Sequence, residues 1–382
     1  MRTRSSLVAV IIVAAIIGVS AIVILNYLPK PSTPELPPLK PPTPEIPALT
    51  TIDLSPHDIP AGITYDPSNG NAYVASSADH TISVIDGNSY KITDNINVTG
   101  RAYNFTFAGP IGLAFDPDNH SVYAAGAPYG MVSVVNVEAH NVTDTIDVGG
   151  NLSWIAINLQ GKEVYVVDSS ANSIYVISTK TQKVIDTIHT GQHPLGIAYN
   201  PDNGKLYAPL FLDNSVQVID GKTHKIVDTI KVDEPGAPKF IAFDSNNWRA
   251  YVTCGNDQVV VIDTNSTKII GKISMPTLPY GGYYDKTGQF VVYDNYSDVM
   301  RSNREKLMAS PAEIVFNPDN GYMYVVNFGV GVLSVIDTKN MTIVDHIATP
   351  FSAYGIVYNQ KNKIIYLSNE PLNSVSLIHR IQ

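Results

Sequence analysis

A tyrosine recurs at positions 73, 123, 165, 207, 251, 324 and 366, and the steps from 123 to 165, from 165 to 207 and from 324 to 366 are each 42 residues. Around Tyr207 the surrounding pattern is fullest. Residues 196–232 hold four apolar runs, at 197–199, 205–210, 215–219 and 225–232. Between them lie Asn200-Pro201-Asp202-Asn203-Gly204, Asp213-Asn214 and Asp220-Gly221, all clusters of turn formers. Short runs with β-branched and aromatic content, bounded this way, read as strands joined by tight turns. Four of them make an antiparallel meander with two apolar faces, which is too small to stay folded unless something covers both. Copies of the same unit supply that cover. A period of about 40–45 residues with four strands per unit predicts an all-β fold, the β-propeller.

The second strand of each unit reads "AYVAS" (72–76), "VYVVD" (164–168), "AYVTC" (250–254) or "MYVVN" (323–327). These phrases resemble the YVTN family of propeller repeats, and Tyr251, Val252 and Thr253 match three of its four namesake letters, with Cys254 in the last place. The resemblance covers about residues 51–382. It implies an exported or surface-type propeller, of the kind frequent in archaeal-type cell envelopes.

The ends of the repeat region complement each other. Residues 51–54, Thr-Ile-Asp-Leu, align with a fourth strand that lacks its first three, and "YGIVYNQ", "KIIYLSN" and "NSVSLIHRIQ" are three strands that lack a fourth. An N-terminal strand is therefore expected to complete the last blade, closing the ring and removing its open edges. Seven units are plain. An eighth is expected at 280–310, from "YGGYYD", "QFVVYDN" and the shorter, more charged "SDVMRSNREKLMAS". Eight blades over 51–382 would average 41.5 residues, close to the observed step. Seven blades are the alternative, with one segment folded outside the ring.

Before the ring come two further segments. Residues 7–25 carry no charge over 19 positions and follow Arg2 and Arg4. As a helix they would extend ~28 Å, close to the hydrocarbon thickness of a bilayer. Residues 1–28 thus read as a cytoplasmic stub and transmembrane anchor, with a cleaved signal peptide as the rival. Residues 29–49 form a proline-rich stalk, with nine prolines between 29 and 47. The expected organisation is a single-pass membrane protein with its propeller, residues 50–382, on the extracytoplasmic side.

A net charge of −9 without a basic block gives no nucleic-acid footprint, and a single cysteine, Cys254, gives no intrachain disulfide or cysteine-based metal site. No nucleophile-elbow, phosphate-loop or zinc-protease motif is present, and the nine histidines are scattered singly. No cofactor or metal is expected. The Asp/Asn residues that end the first strands, Asp66, Asp116, Asn158, Asn200, Asp244, Asp285, Asn317 and Asn359, read as turn caps rather than a ring of metal ligands.

Propellers bind ligands at the channel mouth, on the face built by the fourth-to-first and second-to-third strand loops, an expectation from fold analogy. The chain departs most from its own repeat on that face. An insertion at 99–108 carries Arg101, Tyr103 and Phe105, and Trp154, Phe240 and Glu313 stand where most units have glycine. Lys239, Tyr280 and Tyr354 come one position earlier, and His193 precedes a first strand. The candidate ligand-binding set is Arg101, Tyr103, Phe105, Trp154, His193, Lys239, Tyr280, Glu313 and Tyr354. Aromatic faces with a few polar groups suit a glycan or a surface protein. The reading is a binding platform for a protein, envelope component or glycan. The alternative is an exported lyase or quinone-dependent dehydrogenase with its site in the channel. Eight sequons, at Asn97, Asn104, Asn119, Asn141, Asn151, Asn265, Asn295 and Asn340, mark expected glycosylation sites.

Overall fold

The computed structural model describes residues 49–55, 58–98, 109–126, 130–278, 282–284, 290–292, 307–308, 310–328, 331–350 and 353–379. Seven four-stranded antiparallel sheets stand in sequence, and they are numbered here as blades 1 to 7. Their first strands are Pro60–Tyr65, Pro110–Asp116, Leu152–Asn158, Ala198–Asn200, Pro238–Asp244, Ser310–Asn317 and Ala353–Asn359. Blade 7 takes its fourth strand from the other end of the chain. Leu49–Asp53 pairs antiparallel with Ser374–Ile378, setting Thr51 opposite Ser376. The closure expected from the two partial units is thus present, one strand pair holding both ends of the ring.

The ring has seven blades, not eight. The apolar side chains fall into seven clusters, each shared by two neighbouring blades. In one of them Tyr251, Val261 and Ile273 of blade 5 pack directly on Ile314, Met323 and Val325 of blade 6, so nothing stands between those blades. The expected eighth unit instead pairs with itself. Thr277–Leu278 joins Leu307–Met308, and Gly282–Tyr284 joins Phe290–Val292, as two-stranded ribbons. Two or three residues per strand bury too little apolar surface to form a propeller sheet. Of the stretch 297–310, read as its third and fourth strands, residues 297–306 and 309 lie outside the described residues.

The repeating tyrosine is the centre of each blade. All seven rings are fully buried. Four phenol oxygens receive the side-chain amide of the asparagine four residues earlier: Asn119 to Tyr123, Asn203 to Tyr207, Asn320 to Tyr324 and Asn362 to Tyr366. Some phenols donate to the next blade, Tyr165 to the Gly221 carbonyl at 3.1 Å and Tyr207 also to that of Thr264 at 3.4 Å. The Asp/Asn series caps its own turns. Oδ1 of Asp66, Asp116, Asn200, Asp244, Asn317 and Asn359 accepts the N–H two residues on, and that of Asn158 the N–H three residues on. Asp285 lies outside the described residues.

On the outer rim the fourth strands of blades 1 to 6 each carry a one-residue bulge. A bulge bends and twists an edge strand, which discourages pairing with another molecule. The aspartate beside the bulge also reaches the following blade. Asp94 Oδ2 meets His140 at 2.9 Å, Asp186 Oδ2 meets His224 at 2.8 Å, and Asp228 accepts from Thr267.

No helix among the described residues is long and apolar enough to cross a membrane. The expected anchor at 7–25 and the proline-rich segment lie outside those residues.

Candidate functional site

Around the axis the first strands approach too closely for side chains at one level. A Cβ on Gly62 would lie 2.5 Å from the Ile111 carbonyl oxygen, one on Gly196 2.5 Å from that of Lys239, and one on Gly355 2.3 Å from that of Ala61. Each contact is with the backbone of the next blade, which cannot swing aside. Trp154, Phe240 and Glu313 occupy the same level in blades 3, 5 and 6, and these three exceptions are where the site forms.

Rings from non-adjacent blades meet there. Trp154 of blade 3 packs against Phe240 of blade 5 with centroids 4.9 Å apart and planes at 67°. Phe240 meets Tyr354 of blade 7 at 6.2 Å and 87°. Gly196 of blade 4 makes this possible, since its missing Cβ would sit 3.2 Å from the Phe240 ring. Phe240 is buried, whereas Trp154 and Tyr354 stay partly open. Edge-to-face pairs of this kind contribute about 0.5–1.5 kcal/mol each beyond the area they bury.

Two charged side chains stand on the same first strands, at or next to the glycine level. Glu313 accepts the Ile356 N–H of blade 7 through Oε2 at 2.6 Å. Burial pushes its carboxyl up to about 8, and that one hydrogen bond recovers little of the shift. Lys239 runs the other way, its ammonium pushed down to about 8 by burial and partly restored by Asp257. It donates to Ser310 Oγ at 2.5 Å and to the Pro311 carbonyl at 3.3 Å, tying blade 5 to blade 6. Burial in turn raises Asp257 to about 7, against the pull of Lys239. It lifts the Cys254 thiol to about 12, so that thiol is a packed apolar group. Tyr354 is raised too, by burial and then by the negative charges of Glu370 and Glu313.

Of the residues singled out in the sequence, the structure joins Trp154 and Tyr354 through Phe240, with Glu313 beside Tyr354, while the Lys239 ammonium turns to Ser310 and Pro311. His193 does not join them. It has φ +58°, and it is 8% exposed. Its N–H donates to Asn172 Oδ1 at 2.7 Å, and its ring stands edge-on to Phe211 at 6.0 Å. Burial lowers its pKa, leaving a neutral packing imidazole. Arg101, Tyr103, Phe105 and Tyr280 lie outside the described residues. Phe240, the ring that joins the other two, was visible as one of the three departures from glycine. Asp257 and Glu370 carried no sequence signal beyond being acidic residues in loops. Among the described residues no three His, Cys, Asp or Glu side chains are grouped to hold a metal ion.

Of the sequons, Asn97, Asn141, Asn265 and Asn340 are exposed and Asn151 is half-buried. Asn119 spends its amide nitrogen on Tyr123, the atom a glycan would need. Asn104 and Asn295 lie outside the described residues.

No family model matches the chain. It is similar to the uncharacterized protein YncE of Salmonella typhimurium, 26% identical over 146 residues, and to YncE of Salmonella typhi, 25% identical over 146 residues. The match spans 34% of this chain and 40% of each relative's length. Among solved structures the chain is similar to Kuenenia stuttgartiensis hydrazine synthase, with a TM-score of 0.69 at 18% identity, covering 91% of this chain and 99% of that one. At that identity the likeness shows the fold alone. Together the comparisons give a β-propeller with weak homology to YncE; membership of the YVTN repeat family is not among their results.

Proposed function

We propose that this protein is a binding module displayed outside the cytoplasm, engaging a surface protein, an envelope component or a glycan at its channel cluster. In this reading the apolar stretch 7–25 holds it to the membrane and the prolines of 29–49 space the ring away. The observation that carries the reading is the meeting of Trp154, Phe240 and Tyr354 from three non-adjacent blades. It occurs at the level where other blades have glycine, with Glu313 against it. A rigid ring presents such a set without a large ordering cost on binding. The test compares full-length protein with Trp154→Ala for binding to isolated envelope fractions, while protease treatment of intact cells reports display. Loss of binding in the variant with unchanged folding is expected. Equal binding by both proteins, or a ring protected from protease in intact cells, overturns the reading.

A second reading, an exported propeller enzyme, is favoured by one observation. Burial pushes both the Glu313 carboxyl and the Lys239 ammonium to about 8, toward the range suited to general acid–base work. Turnover of any substrate that collapses in both Glu313→Gln and Lys239→Met would support it.

A further inference from the structure

The channel cluster has the parts of a cage for a positively charged group. Phe240 is the buried floor, and Trp154 and Tyr354 stand against it at 67° and 87° as half-open walls. Aromatic faces carry negative potential, and they attract a soft cation most strongly once it is stripped of water. Glu313 lies at the border of these walls. Its one described hydrogen bond is from the Ile356 N–H, and no cation among the described residues forms an ion pair with it. A half-buried carboxyl without a counter-charge is costly to ionise, and a bound cation would offset that cost. The charged and titratable groups around it are few. Tyr354 of blade 7 feels its charge together with that of Glu370, and Lys239 of blade 5 turns its ammonium onto Ser310 and Pro311.

Resting on the binding reading above, we propose that the channel cluster recognises an alkylated ammonium group, held over the faces of Trp154, Phe240 and Tyr354 and paired with the carboxylate of Glu313. A compact, strongly hydrated cation such as sodium fits less well, because the rings cannot replace its water. The bulk and weak hydration of a methylated ammonium suit three aromatic walls. The same head group can be carried by a free metabolite or by a larger envelope molecule, and the chemistry of the contact is common to both.

The test uses choline and its neutral isostere 3,3-dimethyl-1-butanol, titrated into the full-length protein in mild detergent by calorimetry. Choline should bind at least about tenfold tighter than the isostere at pH 9, a preference of about 1.4 kcal/mol. Below about pH 8 its affinity should fall by up to tenfold per unit, because Glu313 must first release a proton. Glu313→Gln keeps an oxygen for the Ile356 N–H and loses only the charge. It should stay folded, bind choline at least about tenfold more weakly, and lose the pH dependence. Equal affinity for choline and isostere, undiminished choline binding in Glu313→Gln, or no binding of choline overturns the inference. An arm with vesicles bearing choline head groups separates an envelope source from a free one. The envelope assay with Trp154→Ala is independent, so the cation inference can fail while the binding reading stands.

Discussion

The phenol of Tyr251 donates to the Thr338 carbonyl at 3.0 Å across 87 residues of chain, whereas its counterpart Tyr207 makes the same bond to Thr264 across 57. Both bonds join one blade to the next. The extra 30 positions between Tyr251 and Thr338 are therefore an insertion that the ring does not count, and they correspond to the ribbons between Ser274 and Ser310.

Replacing residues 277–308 with a short Gly/Ser linker should consequently leave the ring intact. Blade 5 and blade 6 already share their core, and Arg249 and Tyr251 of one both reach the Thr338 carbonyl of the other. We expect one cooperative thermal transition within a few degrees of the parent. A broad transition or loss of the folded state would show that the segment supports the ring.

The insertion also shows where reading the sequence reached its limit. Its apolar stretches do form strands, at Gly282–Tyr284 and Phe290–Val292, so the local signal was sound. Strand content is local, but membership of a ring depends on whether Ile273 and Ile314 on either side can meet, and they do. The closing strand was legible for the opposite reason, because two incomplete sets named each other. At the site, Trp154 and Glu313 stood out against glycine, a backbone requirement that repeats. His193 has a similar address in its blade, yet its left-handed backbone and burial turn it onto Phe211. No spacing rule in the sequence encodes that turn.

The glycine level gives a graded prediction. Gly196→Ala and Gly355→Ala place a methyl 2.5 Å and 2.3 Å from backbone carbonyls and should destabilise by about 2–4 kcal/mol. At Gly112 the closest atoms are 3.2 Å away, a side-chain carbon among them, so Gly112→Ala should cost about 1 kcal/mol or less. Denaturant midpoints for the three variants check the order. Equal effects would mean that the axis is looser than these distances require.

Removing residues 1–53 deletes the strand that pairs with Ser374–Ile378, exposing that edge and taking away Ile52, which packs on the core shared by blades 7 and 1. Loss of the strand and its half-buried side chain should cost about 4 kcal/mol, which lowers the melting temperature by about 6 °C in a domain of this size. Light scattering should also reveal association through the freed edge. An unchanged melting temperature would show that the strand pair contributes nothing to closure.

The half-buried Glu313 and Lys239 and the buried Asp257 give stability a specific pH profile. Glu313 is raised from its ordinary 4.5 to about 8, and Asp257 from 3.8 to about 7, so between their unfolded and folded values the native state holds protons that the unfolded chain has released. Stability must then fall as pH rises through that window, by up to about 1.4 kcal/mol per unit for each group. Lys239 is lowered from 10.5 to about 8, so from about pH 8 the unfolded chain holds the extra proton and stability recovers as pH rises, until above about pH 9 the Cys254 thiol, raised from 9.0 to about 12, offsets the gain. A minimum near pH 8 is expected in the denaturant-derived unfolding free energy. Glu313→Gln should make the acid side of that minimum shallower, leaving the share due to Asp257, without touching the alkaline side. Lys239→Met should remove the alkaline side and, because Lys239 holds Asp257 down, move the Asp257 share to higher pH. A profile without a minimum, or one that both variants leave unchanged, would mean that solvent reaches these groups freely and that the channel cluster is not the enclosed site its rings describe.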